Sequence, residues 1–247
     1  MTIIRVENLA KTYYSEKAEV AALVDIDMEL HEGDFTVIMG SSGSGKTTLL
    51  HMLSGLESPD EGTVFLKDQP VHAMSERDLS RFRRRHVGYV FQDFNLIPNL
   101  TVLENMLVPG FLVTNDRREL IERAQALLAT FEIADTADRL PTEISGGEQQ
   151  KASIARALVN TPAVLFADEP TGNLNSVASQ SVLNVLTDMN RRGHTIVMAT
   201  HDLKAACRGR TIRYLRDGRL HSVYRRPVLS DRIDENELFE WLSARGW

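Results

Sequence analysis

The feature that most constrains the fold is a glycine-rich segment, Gly40 to Thr47, which joins two different apolar patterns. Before it, Phe35 to Met39 is a continuous apolar run with the length of a buried strand. After it, leucines at helical spacing follow Lys46 until Gly55. Strand, glycine turn and helix in direct succession indicate the first unit of an α/β fold.

The same order of elements returns later in the chain. Ala163 to Ala167 and Thr195 to Ala199 are strand-like apolar runs, and Val177 to Met189 between them has a helical pattern. Strands alternating with helices predict a parallel sheet covered on both faces. The first 33 residues instead alternate like antiparallel strands, at Ile3 to Val6 and at Leu23 to Leu30.

A helical insertion is expected near residues 92–160. Within it, Asp116 to Phe131 is amphipathic, and Asn115 or Asp116 can cap its start. A further helix is predicted from about Gly147 to Val159. The apolar face of the first helix consists of Leu120, Ile121, Ala124, Leu127, Leu128 and Phe131.

Composition limits the partners. The 247 residues carry a net charge of −6, which argues against general nucleic-acid binding, because that requires a basic surface. The single Cys207 excludes an internal disulfide and provides no cysteine cluster for a metal, as in a reducing cytosol. No apolar run approaches the roughly 20 residues of a membrane-spanning helix, and no signal peptide is recognisable. We expect a soluble chain, with any membrane part on another polypeptide.

The glycine-rich segment has the pattern of a phosphate loop, G-x-x-x-x-G-K-[ST], in the required place between strand and helix. Its glycines let backbone N–H groups converge on phosphate oxygens at a helix N-terminus. Lys46 is expected to reach the β and γ phosphates of ATP, and the Thr47 hydroxyl to bind Mg²⁺. The alternative is a serine- and glycine-rich turn without a ligand. The predicted nucleotide-binding residues are Gly40, Ser41, Ser42, Gly43, Ser44, Gly45, Lys46, Thr47 and Thr48.

Two carboxylates, Asp168 and Glu169, end the apolar strand that starts at Ala163. Asp168 is suited to hold Mg²⁺ through water, and Glu169 to polarise the attacking water as a general base. Many strands end in acidic turns, so this pair indicates catalysis only because it follows a phosphate loop by about 120 residues.

A second small-residue turn, Ile144-Ser145-Gly146-Gly147-Glu148, comes about 100 residues after the phosphate loop and opens the next helix. It resembles the signature loop of ATP-binding cassette (ABC) ATPases, and the resemblance extends over about residues 2–224. It implies a RecA-like core with a parallel sheet, an N-terminal antiparallel β subdomain and a helical signature subdomain at about 93–160. It also implies that Ser145, Gly146, Gly147 and Glu148 bind ATP held by a second copy, in a head-to-tail dimer.

The resemblance assigns three more residues. Gln92 matches the glutamine that senses Mg²⁺ and links the site to a membrane partner, so the implied metal ligands are Thr47, Gln92 and Asp168. His201 resembles the switch histidine that contacts the γ-phosphate, although a lone histidine is more often structural. Tyr13 resembles the aromatic that stacks on adenine; Tyr14 is adjacent, and a core aromatic would look the same. The implied catalytic set is Lys46, Gln92, Glu169 and His201.

Three residues near the expected dimer contact depart from the family pattern. The signature has Ile144 for the usual Leu, which preserves volume, and Glu148 for the usual Gln. Asn175 stands where the matching family turn ends in Asp, so it keeps an acceptor oxygen and loses the charge. We expect this change to alter communication between the two sites and to leave ATP binding intact.

Several segments resemble one branch of the family, the ATPases of macrolide exporters, lipoprotein-release systems, antimicrobial-peptide resistance transporters and the bacterial cell-division complex. These segments are the spacer Ser15–Val20, the run Val90–Pro98 and the run Ala167–Leu174. The resemblance implies an ATPase subunit at the cytoplasmic face of the cell membrane, exporting or extracting a drug, peptide or lipid-linked substrate. The permease is expected to dock near Phe94–Leu107.

Other classes remain to be compared. DNA-repair ATPases with the same signature need a long coiled coil between Gln92 and Ser145, where only about 50 residues lie. Ribosome-associated relatives carry two cassettes in one chain. A regulatory module that gates a membrane partner or cell-wall enzyme without transport stays open, because its ATPase motifs would be the same.

Two further segments each allow a structural and a functional interpretation. Arg81–His86 could be a membrane or nucleic-acid patch, but in an acidic protein a solvated helix face is favoured. The tail, residues 225–247, is expected to form a short helix with an apolar stripe at Leu238, Phe239 and Leu242. That stripe could pack on its own domain or contact a dimer mate or partner.

Overall fold

The computed structural model describes residues 1–15, 18–226 and 232–247. Its strands are β1 (Thr2–Ser15), β2 (Ala18–His31), β3 (Phe35–Met39), β4 (Glu61–Leu66), β5 (Gln69–Pro70), β6 (Val87–Val90), β7 (Val164–Asp168), β8 (Thr195–Thr200), β9 (Thr211–Arg216) and β10 (Arg219–Arg225). Its helices are α1 (Lys46–Ser54), α2 (Glu76–His86), α3 (Val102–Phe111), α4 (Arg117–Thr130), α5 (Gly146–Leu158), α6 (Ser176–Arg191), α7 (Leu203–Ala206) and α8 (Glu235–Ser243). The chain forms two compact units, Met1–Leu79 with Gly193–Trp247, and Ser80–Arg192.

The first unit contains an antiparallel sheet in the order β2-β1-β4-β5. This confirms the predicted antiparallel β edge, but β1 and β2 are each 14 residues long, well beyond the runs expected from the sequence. The register of β1 on β2 shifts at several points, including between Val6 and Leu9. Each shift breaks the alternation of apolar and polar residues, so the sequence pattern does not indicate that the strand continues.

The first unit also holds the strand that leads into the phosphate loop. β3 pairs in parallel with β8 and with β9, and β10 closes that set antiparallel to β9. All residues of β3 and β8 are buried, as expected for strands covered on both faces. The predicted strands at Phe35 and Thr195 and the predicted helix at Lys46 are therefore confirmed.

The second unit combines the parallel pair β6 and β7 with helices α3 to α6. α4 begins where the sequence predicts, because the Asp116 carboxylate accepts a hydrogen bond from the Glu119 N–H at 3.0 Å. Of its predicted apolar face, Leu120, Ala124, Leu128 and Phe131 are buried, whereas Ile121 and Leu127 are partly exposed.

The C-terminal segment packs on the first unit. α8 buries Leu238 and Leu242, and the Tyr224 hydroxyl donates a hydrogen bond to Glu237 at 2.6 Å. Phe239 is 51% exposed, so the expected three-residue stripe is wrong at that position. Phe239 lies one residue past Leu238, on the solvent side of a helix with a single buried stripe.

Three remaining expectations concern the arginine-rich segment, the residues near the gaps in the described chain, and membrane-spanning helices. Leu79 is the buried residue of α2, and Arg81–His86 are exposed or half-exposed, which favours the solvated helix face. Residues 16–17 of the Ser15–Val20 spacer and Pro227 of the tail lie outside the described residues. None of the helices in the described ranges is long and apolar enough to cross a bilayer.

Candidate functional site

The phosphate loop is shaped by close backbone contacts that only glycine allows. A Cβ atom on Gly40 would lie 2.3 Å from the Leu215 carbonyl oxygen, and one on Gly45 would lie 2.4 Å from the Ala22 carbonyl oxygen. Gly45 also has a φ of 100°, in the left-handed region, immediately before α1 begins. Both ends of the loop are therefore packed closely against neighbouring backbone, at Leu215 and Ala22. Glycines directly before a helix N-terminus are the features from which a phosphate cradle is built.

Lys46 lies across this loop. It is only 7% exposed, and its Nζ donates hydrogen bonds to the carbonyl oxygens of Gly40 and Ser41, each at 3.0 Å. The Ser44 hydroxyl oxygen, inside the same loop, is buried and has no hydrogen-bond partner. The loop therefore holds an ammonium and a hydroxyl whose polar atoms suit an anionic ligand.

Tyr13 lies on β1 near the start of α1. Its hydroxyl donates to the Glu57 carboxylate at 2.8 Å and also shares a hydrogen bond with the Thr48 side chain. Burial, and then the Glu57 bond, raise the pKa of the Tyr13 hydroxyl. The residue is 40% exposed, so it is not a core aromatic, whereas Tyr14 is 75% exposed. Of the two, Tyr13 is the ring held in one orientation.

His201 directly follows β8 and is exposed. The next residue fixes the turn: the Asp202 side chain accepts from the Ala205 N–H at 2.6 Å, and the Asp202 N–H donates to the Thr200 hydroxyl at 3.0 Å. His201 therefore stands at a capped junction between β8 and α7, in the same unit as the phosphate loop.

In the second unit, Asp168 ends β7 and is 8% exposed. Its charge lies close enough to Tyr89 on the neighbouring β6 to raise further the pKa of that hydroxyl, which burial raises most. Glu169 follows with a φ of 43°, in the left-handed region. A non-glycine residue is rarely found there, and such strain concentrates at functional sites.

Gln92 lies two residues beyond β6, on an exposed segment held by its neighbours. Its backbone carbonyl accepts from the Asn173 amide at 3.3 Å, and the Asp93 carboxylate accepts from the same amide at 2.8 Å. The Gln92 side chain lies beside the turn that follows Glu169, because a Cβ atom on Gly172 in that turn would be 3.1 Å from the Gln92 Nε2 atom. Gln92 and the turn after Glu169 are thus joined.

The signature turn forms a capping box at the start of α5. The Ser145 hydroxyl caps the helix by accepting from the Glu148 N–H at 3.4 Å. The Glu148 carboxylate in turn accepts from the Ser145 N–H at 2.7 Å and from the Ser145 hydroxyl at 2.6 Å. The hydrogen bonds from Ser145 lower the pKa of Glu148. Both residues are therefore engaged with each other.

Asn175 has a local role that an aspartate would share. It is the N-cap of α6, and its side-chain oxygen accepts from the Ala178 N–H at 2.9 Å. It lies in the same groove of the second unit as the signature turn, together with Lys151, Asn173 and Ser181.

Three residues that the sequence analysis did not identify hold this region together. Gln150 is wholly buried and donates to the carbonyl oxygens of Phe91 at 3.4 Å and Pro170 at 2.8 Å. Arg156 donates to the carbonyl oxygens of Phe94, at 3.0 Å, and Asn95. Gln150 therefore connects α5 to the segments before Gln92 and after Glu169, and Arg156 connects it to the segment after Gln92. Asn173 joins the segments after Gln92 and after Glu169 directly. No local sequence pattern indicates these contacts. The capping box of Ser145 and Glu148, by contrast, is indicated by the spacing S-x-x-E.

The chain is similar to known proteins over most of its length. The family model described as ABC transporter matches residues 23–172. An uncharacterized ABC transporter ATP-binding protein of Bacillus subtilis, YvcR, is 41% identical, and the alignment covers 100% of this chain and 96% of YvcR. The macrolide export ATP-binding/permease protein MacB of Escherichia coli is 38% identical over 88% of this chain, which corresponds to 34% of MacB.

Solved structures give the same result. The ATP-binding cassette MJ0796, solved as a dimer in a post-hydrolysis state bound to ADP and Pi, superimposes with a TM-score of 0.84. It is 36% identical, and the match covers 90% of this chain and 98% of that one. The cbiO1 protein of Clostridium perfringens, part of the ABC transporter complex cbiONQ, superimposes with a TM-score of 0.82 at 26% identity, covering 98% and 92% of the two chains.

Proposed function

Because the chain belongs to the family of ABC transporter ATP-binding proteins, we propose that it is the ATP-hydrolysing subunit that drives a membrane permease. The fold is the ABC ATPase fold, and the chain binds and hydrolyses ATP. The observation that carries the assignment is that a closely packed phosphate loop and a capped signature turn occur in one chain. Neither motif alone distinguishes a transport ATPase from other phosphate-loop proteins.

The proposed chemistry assigns one role to each residue. Gly40–Thr48 hold the phosphates, and Lys46 exchanges its two carbonyl partners for phosphate oxygens. Glu169 takes the proton of the attacking water, while His201 contacts the γ-phosphate. The Tyr13 ring stacks on adenine, and the hydrogen bond from its hydroxyl to Glu57 orients the ring.

Mg²⁺ fits the oxygen donors that the chain supplies. Thr47, Gln92 and Asp168 provide a hydroxyl, an amide and a carboxylate, which are ligand types that Mg²⁺ accepts. Within residues 1–15, 18–226 and 232–247, no group of three or more His, Cys, Asp or Glu could hold a metal ion by itself. This agrees with an ion held largely by phosphate oxygens and water. When bound, Mg²⁺ neutralises charge on the phosphates.

The active form is proposed to be a head-to-tail dimer of two copies. Each ATP then lies between the phosphate loop of one copy and Ser145, Gly146, Gly147 and Glu148 of the other. Closure on ATP supplies the binding free energy that moves the permease, and hydrolysis resets the dimer. Support comes from MJ0796, which was solved as a dimeric cassette.

The permease is proposed to dock on the second unit near Phe94–Leu107. Within that segment Val102 and Met106 are buried, and Ile97 is 42% exposed. Apolar exposure continues beyond it at Val108, Phe111 and Leu112, each more than 40% exposed. A groove in the same unit, lined by Arg84, Tyr89, Asn105, Val108 and Arg156, lies beside this surface. A permease docked there would contact the segment that directly follows Gln92.

Transport by export or extraction is the finer part of the proposal. It is supported by the likeness to MacB, an ATP-binding/permease protein named for macrolide export. The chain would then work at the cytoplasmic face of the cell membrane. The second candidate is a module that uses the same ATP cycle to gate a membrane partner or cell-wall enzyme without transport. ATPase stimulation by cargo, in vesicles holding the permease, separates the two.

Glu169→Gln tests the ATPase assignment. The substitution preserves size and removes the base, so ATP turnover should fall by at least about 100-fold, while ATP binding persists and the dimer accumulates. Phosphate release and light scattering after size exclusion measure both. Glu143→Gln, a charge-matched change outside the site, should behave like wild type. Full turnover by the Glu169 variant would remove Glu169 from the mechanism.

A further inference from the structure

The Ser145 hydroxyl has one proton, and Glu148 already binds it. The donor–acceptor distance is 2.6 Å, and the acceptor is a carboxylate, so this is a charge-assisted hydrogen bond of the stronger kind. The same carboxylate oxygen also accepts from the Ser145 N–H at 2.7 Å. Ser145 is nevertheless exposed at the mouth of its groove.

A phosphate arriving from a second copy would meet two obstacles at this turn. Ionised phosphate oxygens are acceptors, so they compete with Glu148 for the only hydroxyl proton of Ser145. The Glu148 carboxylate also lies in the first turn of α5, where the helix dipole would otherwise attract the incoming anion. The negative charge of Glu148 causes the second obstacle and strengthens the first, because a charged acceptor binds the hydroxyl proton more strongly than a neutral one.

The surrounding side chains give Glu148 an alternative partner. Lys151 lines the same groove, and both Lys151 and Arg139 attract the Glu148 carboxylate electrostatically. If Glu148 turned toward either cation, the Ser145 hydroxyl would be released and the helix terminus exposed. The turn therefore has a closed arrangement, which is observed, and a chemically reasonable open one.

We propose that Glu148 is a gate on ATP-driven dimer closure, which withholds the Ser145 hydroxyl until the partner's phosphates displace it. The gate rests on the proposed function, since it acts only if the signature turn binds ATP held by a second copy. It weakens the ATP-bound dimer relative to a chain with a neutral residue at this position. Two gates operate in each dimer, one at each site.

The test compares Glu148→Gln with its parent in the Glu169→Gln background of the full chain. Glutamine keeps the capping box but removes the charge. ATP-dependent dimerisation is followed by sedimentation over a range of protein concentrations. We expect the dimer dissociation constant to fall about tenfold, roughly threefold for each gate, as for a partly exposed charge. High salt should shrink this difference, because salt screens the repulsion.

Glu143→Gln in the same background is the matched control. Glu143 is exposed and makes the equivalent carboxylate contact with a backbone N–H, that of Leu140 at 2.8 Å. It should leave the dissociation constant unchanged. If the Glu148→Gln variant and its parent have equal dimer dissociation constants, the gate is refuted and the proposed function stands. A larger dissociation constant for the Glu148→Gln variant would refute the gate in the same way. If no variant dimerises with ATP, the gate and the proposed dimer fail together.

Discussion

Asn175 has an observed structural role beside the role in communication between sites that we expect for it. As the N-cap of α6 it uses only its side-chain oxygen, which aspartate would supply equally well. What the chain lacks at this position is therefore a negative charge and not a helix cap. The expected change in communication between sites must then come from electrostatics or from the amide N–H₂ group.

Two substitutions at position 175 separate these contributions. Asn175→Asp should retain stability and alter the ATPase rate or its cooperativity, because it restores the family charge. Asn175→Ala should lower the free energy of unfolding by about 1 kcal/mol through loss of the cap. Urea unfolding and ATP titrations of the rate measure the two effects. An unchanged rate and Hill coefficient in the aspartate variant would contradict the communication hypothesis.

At the scale of elements, α5 is the connection between several loops. Gln150, on its buried face, supplies a hydrogen-bond donor to the backbone on either side of the catalytic candidates. Replacing it with leucine leaves two carbonyl groups without this donor inside the protein. Gln150→Leu should therefore destabilise the fold by roughly 1–3 kcal/mol and also lower the maximal ATPase rate.

Urea unfolding and steady-state ATPase assays test this prediction. Gln180→Leu is the control, because Gln180 is exposed and its amide donates to the Asn184 side chain one turn along α6. It should change neither quantity appreciably. A Gln150 variant with lowered stability and an unaltered rate would mean that α5 supports the loops without positioning them.

α8 is the second element with a measurable role, because it packs beside α7 near Cys207. Burial is the main cause that raises the pKa of this thiol to about 11, so it is protonated and unreactive at pH 8. Leu242→Ala should cost about 2–5 kcal/mol and loosen α8, so alkylation of Cys207 should accelerate. Phe239→Ala, at a half-exposed position of the same helix, should leave alkylation slow. Mass spectrometry with iodoacetamide measures both rates.

For the molecule as a whole, the sequence predicts the elements better than the connections between them. The buried strands β3, β7 and β8 and the helices α1 and α4 follow from apolar runs, spacing and caps, which are local properties. The long β1 and β2 were underestimated because register shifts interrupt their alternation. Gln150 and Arg156 could not be identified at all, since their partners lie about 20 to 62 residues away in sequence.

The same division applies to the candidate site. The sequence predicts the phosphate loop and the carboxylates of Asp168 and Glu169 because the residues of each motif are contiguous. The charge-assisted bond between Glu148 and Ser145 was not expected, although the capping-box spacing gives a local signal for it. The strain at Glu169 has no sequence signal, because φ is set by the turn as a whole.

Mixing two inactive variants tests the head-to-tail arrangement of the whole assembly. Lys46→Ala disables a phosphate loop, and Ser145→Arg blocks a signature turn. In a mixed dimer, the intact loop of one copy meets the intact turn of the other. An equimolar mixture should recover about a quarter of wild-type ATPase activity, since half of the dimers are mixed and each has one complete site. No recovery, with mixed dimers shown by mass spectrometry, would contradict shared sites.

The left-handed backbone conformation of Glu169 lowers the stability of the fold at a residue that we expect to be needed for activity. Glycine adopts a φ of 43° without steric cost, whereas glutamate does not, so the chain retains the carboxylate at the expense of folding free energy. Glu169→Gly should therefore raise the melting temperature, measured by calorimetry, while abolishing ATP hydrolysis. Laboratory evolution for heat resistance alone would then favour inactive proteins, and any thermostable version of this ATPase must be selected for turnover at the same time.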